Sequence, residues 1–210
     1  MAGTNATEAT VGRISEVQDG EGGLLGRFAF RASRKATGKV MGSVRVMLRH
    51  PRTAVGVGAM EHQLERSRDV EPRLVELAVL KAATVVGCEY CMDIGSFLAR
   101  THHGVPEEQI RDLVRHRESP AFDERERLVL DYAAAMSRTP AVVDDELFAA
   151  LRERFDERQV VHLTSAIAWE QYRARFNAAL EIPPDGFSTG TVCAIPVPAG
   201  PPLTAGAPPA

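Results

Sequence analysis

From Leu74 to Cys91 the chain reads LVELAVLKAATVVG followed by CEYC, and this stretch decides the fold. Residues 74–87 are apolar on nearly every side of a helix, as in a helix enclosed by others. Pro72 suits the first turn of such a helix, and Gly87-Cys88 breaks it. Glu76 stands inside the run, where a carboxylate is expensive to bury unless it has a partner or a task. Burial would raise its pKa and suit it to proton transfer. The plainer alternative is a salt bridge to Lys81 or Arg73.

Eleven residues after Glu76 comes Cys88-Glu89-Tyr90-Cys91, which holds two of the chain's three cysteines. Two thiols three residues apart can close a disulfide within one turn and so exchange two electrons. The periodicity places Cys88 at the leading edge of the next helix and Cys91 in its first turn. Free backbone N–H groups and the positive helix end favour a thiolate there. Two other readings stand beside a catalytic dithiol. Zinc needs four ligands, and this pair supplies two; Cys193 lies alone, and His102-His103 fall three turns further on. Inert buried cysteines are the third reading.

Working outward, helical periodicity runs almost throughout residues 24–182. Helices are expected from Leu24 to Lys39, Gly42 to Leu48, Pro51 to Arg66, Pro72 to Val86 and Glu89 to His103. Another opens at Pro106-Glu107-Glu108, and further ones span Asp123 to Arg138, Asp144 to Leu151 and Asp156 to Leu180. Asp144 and Asp156 read as N-caps, and Gly104 as a C-terminal cap. No run alternates like a strand, so the fold class is all-α. Residues 1–23 are small, polar and Gly-rich and read as a flexible arm. Eight of the thirteen prolines fall in 183–210, so that segment is a Pro-rich extension that cannot continue a helix.

The composition fits one domain of ordinary type, with 44% apolar and 25% charged residues and a net charge of -3. Nothing in it asks for nucleic acid. The basic stretch from Arg27 to Arg52 reads as a solvated helical face, with an acidic partner as the alternative. No run is apolar for long enough to span a membrane, and the start shows no signal peptide. Asn5-Ala6-Thr7 matches a glycosylation sequon by chance. A cytoplasmic setting is expected, where a Cys-x-x-Cys is reactive or metal-binding rather than a structural clasp.

Glu76-x11-Cys88-x2-Cys91, the Pro72-Arg-Leu-x-Glu-Leu77 entry and the Gly104-Val-Pro-Glu-Glu-Gln-Ile110 helix start together resemble the carboxymuconolactone decarboxylase and alkylhydroperoxidase D-like superfamily. The closing block from Ala166 to Pro196 belongs to the same likeness, which covers roughly residues 44–193. The resemblance implies an all-helical homo-oligomer, a trimer or hexamer, with no metal, haem or flavin. It implies that Cys91 attacks, Cys88 resolves and Glu76 moves protons. The implied activity is a thiol-dependent peroxidase whose substrate is a hydroperoxide or a disulfide and whose reductant is an external dithiol or reductase. Two alternatives stand beside it: a non-enzymatic redox-sensing or structural oligomer, and a muconolactone-type decarboxylase, whose chemistry does not need the dithiol.

The chain departs from the family at one position. The family carries a histidine four residues after the second cysteine, and here that residue is Gly95. His102 lies eleven residues beyond Cys91, about 16 Å along a straight helix, too far to replace it. His162 on the last helix, or a histidine of a neighbouring subunit, is the remaining source. Tyr90 and Asp93 are candidate supporting groups, with aromatic packing and a helix-surface acid as their plainer roles. Trp169, Tyr172, Arg173, Arg175 and Asn177 are expected to pack or to bind a neighbouring subunit, with a polar contact from Glu170 or Arg173 into the site as the alternative.

Overall fold

A computed structural model describes residues 12–197, and every regular element among them is helical. The helices are α1 (Gly23–Thr37), α2 (Gly42–Met47), α3 (Pro51–Arg66), α4 (Pro72–Val86), α5 (Glu89–Thr101), α6 (Glu107–Asp112), α7 (Glu124–Ser137), α8 (Asp145–Arg154) and α9 (Glu157–Ala179). A single 3₁₀ turn, Leu113–Arg115, follows α6. The expected all-α class holds. The sequon at Asn5 and the last residues of the Pro-rich end lie outside the described residues.

The near-continuous apolar run makes α4 the axis of the molecule. It packs against α5, α7 and α9. Leu77, Leu80 and Ala83 enter one core with Cys88, Cys91, Met92, Ile110, Leu130 and Ala174. Leu74, Ala78 and Ala82 enter a second with Val129, Tyr132, Leu151, Phe155, Leu163 and Ile167. A helix that feeds two cores must be apolar on both sides, which is why its sequence shows no polar face. Its buried Lys81 donates from Nζ to the carbonyl of Leu113 at 2.9 Å, and burial lowers its pKa to about 8.

The helix starts follow local chemistry. Asp123 with Glu126 and Asp156 with Gln159 form reciprocal capping boxes, and Asp144 accepts from the Leu147 N–H at 2.8 Å. Each such cap stabilises its helix by about 1 kcal/mol.

Both flanks are fastened to this body. From residue 12 onward the expected flexible arm is held down. Val17 is buried with Phe30 and Leu48. Arg49 donates to the carbonyls of Ser15 and Glu16, and Arg45 to that of Val17. The small polar composition of this segment hid the fact that arginines from α2 and beyond would satisfy its backbone.

Residues 183–197 run back across α5 as a non-helical strap. The Asp93 carboxylate accepts from the N–H groups of Phe187 (2.9 Å) and Ser188 (2.7 Å). Ser96 Oγ accepts from the Ala194 N–H, and the Thr84 carbonyl from the Val197 N–H. The Asp185 carboxylate accepts from the Tyr90 hydroxyl (2.8 Å) and the Gly42 N–H (3.0 Å).

Candidate active site

The dithiol is set by the turn between α4 and α5. Gly87 adopts a left-handed conformation at φ 77° and ends α4, with its N–H returning to the Ala83 carbonyl. Cys88 is then the N-cap of α5, and its Sγ accepts from the Cys91 N–H at 3.2 Å. The Cα atoms lie 5.2 Å apart and the two cysteines are joined as a disulfide. Each residue is only 5% exposed. From α9, the Asn177 side-chain amide donates to Cys91 Sγ at 3.5 Å.

Glu76 does not pair with Lys81 or Arg73. Lys81 is turned to Leu113, and Arg73 binds Glu126 and Gln109, each at 2.5 Å. Instead Glu76 belongs to a group assembled from three helices, α3, α4 and α9, and the turn after α5. Arg173 on α9 contacts Glu170 one turn before it and Glu61 of α3 at 3.1 Å. Burial raises the Glu76 carboxyl to about 7, opposed by Arg173 and reinforced by Glu170, Glu61 and Glu65. Burial likewise raises Glu170 to about 7 against the pull of Arg173. Burial alone would lower the Arg173 pKa, but Glu170, Glu61 and Glu76 outweigh it and raise it. These are two acids that change charge near neutrality around a fixed cation.

A histidine does reach the acid, from an unexpected place. His103, just past the end of α5, sets its Nε2 3.8 Å from Glu76 Oε2. Burial, helped by His102 and Arg68, lowers its pKa. From sequence, His102 and His162 are the replacements weighed, and not His103, which the α4–α5 hairpin brings back beside Glu76. The family's usual histidine position is glycine here, and it faces α4. A Cβ at Gly95 would come 3.0 Å from Leu80 Cδ1, and Leu80 is fully buried.

The other candidates lie elsewhere. The Tyr90 hydroxyl binds Asp185 and Ser43, so it ties α5 to α2 and the strap. Asp93 is taken up by the strap. His162 sets Nδ1 3.4 Å from Ser67 Oγ, and fifteen residues, about 22 Å of helix, separate it from Asn177. The structure brings none of these three to the disulfide as a proton carrier. Cys193 is half-buried in the strap, where its Sγ accepts from Ser96 Oγ at 3.8 Å. Among the described residues no group of three or more His, Cys, Asp or Glu is arranged to hold a metal. Asn177 and Glu170 carried only a packing or accessory expectation. Their signal was the polar stripe 170-173-177 on one face of an otherwise apolar-sided helix.

The site and fold define a class. The chain matches the carboxymuconolactone decarboxylase family model over residues 49–135. It is 34% identical to the uncharacterized protein YnjA of Escherichia coli (strain K12) over 164 residues, 78% of this chain and 87% of that one. The chain belongs to the carboxymuconolactone decarboxylase and alkylhydroperoxidase D-like superfamily.

Among solved structures its fold is similar to that of the debrominase Bmp8, with a TM-score of 0.75, 24% identity and coverage of 83% of this chain and 92% of that one. Bmp8 is also known as a cysteine-to-alanine variant in complex with 2,3,4-tribromopyrrole. An uncharacterized peroxidase-related protein from Silicibacter sp. TM1040 shares the fold at a TM-score of 0.72 and 18% identity, over 90% of this chain and 97% of that one.

Proposed function

We propose that the protein is a thiol-dependent oxidoreductase that reduces a small hydroperoxide through Cys88 and Cys91. The observation that carries this reading is the Cys-x-x-Cys pair, closed as a disulfide at the start of α5 with a donor on each sulfur. The Cys91 thiolate attacks the outer peroxide oxygen. The O–O bond breaks, and the leaving alkoxide or hydroxide takes a proton to become alcohol or water. Cys88 then attacks the sulfenic sulfur, water leaves, and the disulfide forms. An external dithiol returns the pair to two thiols and is itself oxidised to a disulfide. Burial raises Glu76 of α4 and Glu170 of α9 to about 7, which suits both acids to exchange protons near neutral pH.

Single-turnover kinetics of the reduced protein with a hydroperoxide test the assignment. Cys91→Ser abolishes the fast phase, and Cys88→Ser retains it but stops at a trappable sulfenic acid. Full reactivity in Cys91→Ser would reverse the roles. A disulfide that forms yet never cycles with peroxide and dithiol would favour a redox sensor.

A second reading keeps the dithiol and changes the electrophile, on the strength of the Bmp8 fold and its bromopyrrole. A bromoarene and the dithiol would give the arene, bromide, a proton and the disulfide. Stoichiometric bromide release from 2,3,4-tribromopyrrole would support it. Decarboxylation leaves the dithiol without a task. Every residue of α3 keeps some exposure, which suits the homo-oligomer the family implies; light scattering at a trimer or hexamer mass tests it.

A further inference from the structure

With Gly95 at the family's histidine position, the Cys91 sulfur needs another group to stabilise it as an anion. A side chain at position 95 would press on Leu80 Cδ1, 3.0 Å from where its Cβ would stand. The donors in contact with the two sulfurs are divided. The Cys91 backbone N–H serves Cys88 Sγ at 3.2 Å, and the Asn177 Nδ2 serves Cys91 Sγ at 3.5 Å. We propose that Asn177 is a catalytic residue, the side-chain donor that holds Cys91 as a thiolate in place of the missing histidine.

Three features fit Asn177 to this task. It is buried at 5% exposure, so its hydrogen bond is not diluted by water. Its backbone is fixed, because the Asn177 carbonyl accepts from the Ile182 N–H at 3.0 Å where α9 gives way to the strap. Its helix face is also fixed one turn earlier by the Glu170–Arg173–Glu61 contacts. An amide can donate to a thiolate but cannot take the proton from a thiol. Asn177 therefore favours the anion without acting as the base, and the proton of Cys91 leaves by another route.

Other charges on the elements around Cys91 are already engaged. On α9 and α4, Arg173, Glu170 and Glu76 belong to one cluster, and Lys81 donates to the Leu113 carbonyl. On α5, Asp93 accepts from the strap, and in the strap Asp185 accepts from Tyr90 while burial raises the Cys193 thiol.

The inference rests on the oxidoreductase reading only in taking Cys91 as the attacking thiol, and its test does not use peroxide. The pH dependence of iodoacetamide alkylation is measured at Cys91 in a Cys88→Ser, Cys193→Ser background. Asn177→Ala is expected to move the alkylation midpoint upward by about one pH unit, a tenfold fall in the acid dissociation constant of the thiol. The near-isosteric Asn177→Asp keeps the packing and replaces the donor with an anion, and moves it at least as far. Asn177→His restores a donor and brings the midpoint back toward the parent. A folded Asn177→Asp that titrates like the parent overturns the proposal. A parent with a low midpoint, lost in Asn177→Asp but without peroxide turnover, sinks the peroxidase reading and leaves the role of Asn177 standing.

Discussion

Glu76 costs the folded chain something when it ionises. Burial holds its carboxyl at about 7, against an ordinary value of 4.5, so folding favours the acid form. Its contribution to stability is therefore intact below about 4.5 and is lost as pH rises through about 7. Glu76→Gln keeps the neutral shape at every pH. The variant should match the parent near pH 4 and exceed it at pH 8.5 by on the order of 2–3 kcal/mol. Urea midpoints at the two pH values check this, and equal midpoints at pH 8.5 would mean that the acid is not strained there. The identity of this residue as a buried acid was legible from the apolar run around it. Its partners were not, because helical periodicity gives the side of a helix and not what lies against it. Lys81 and Arg73 were near in sequence, whereas His103 and Arg173 arrived by the folding back of α5 and α9.

Among elements, the α4–α5 hairpin carries the most for its length. Gly87 gives the left-handed turn that ends α4 and presents Cys88 as the next cap. Nothing lies within 4 Å of where a Cβ would stand, so a substitution there meets backbone strain alone. Gly87→Ala should cost about 1–2 kcal/mol, and Gly87→Asn, which tolerates the left-handed region better, clearly less. Thermal or urea denaturation decides it; a cost as large for Asn as for Ala would point to a different cause. The element pattern was readable because punctuation is written locally. Pro51 and Pro72 open helices, and Asp123, Asp144 and Asp156 cap them. The tight approach of Gly95 to Leu80 was not readable, since it depends on another helix.

On the scale of the whole molecule, the Pro-rich strap is held mainly by groups of the helices it crosses, with one turn of its own between Ser188 and Thr191. That is why its composition reads as loose while its path is fixed. Asp93 accepts two of its N–H groups, so Asp93→Ala removes two charge-assisted hydrogen bonds, on the order of 2–4 kcal/mol. Limited proteolysis should then cut between residues 187 and 193 at least tenfold faster, with hydrogen exchange rising at Phe187 and Ser188. Unchanged cleavage would mean that Ser96 and Thr84 hold the strap without Asp93. Among the described residues no helix is long and apolar enough to cross a membrane.

The 5% exposure of each cysteine has a kinetic meaning. Sulfurs buried in one core with Ala174, Ile182 and Ala194 meet reagents according to their bulk before chemistry begins. A small peroxide meets them in proportion to its concentration. A protein disulfide meets them only as often as the covering segments lift, so its rate levels off at the opening frequency however much of it is supplied.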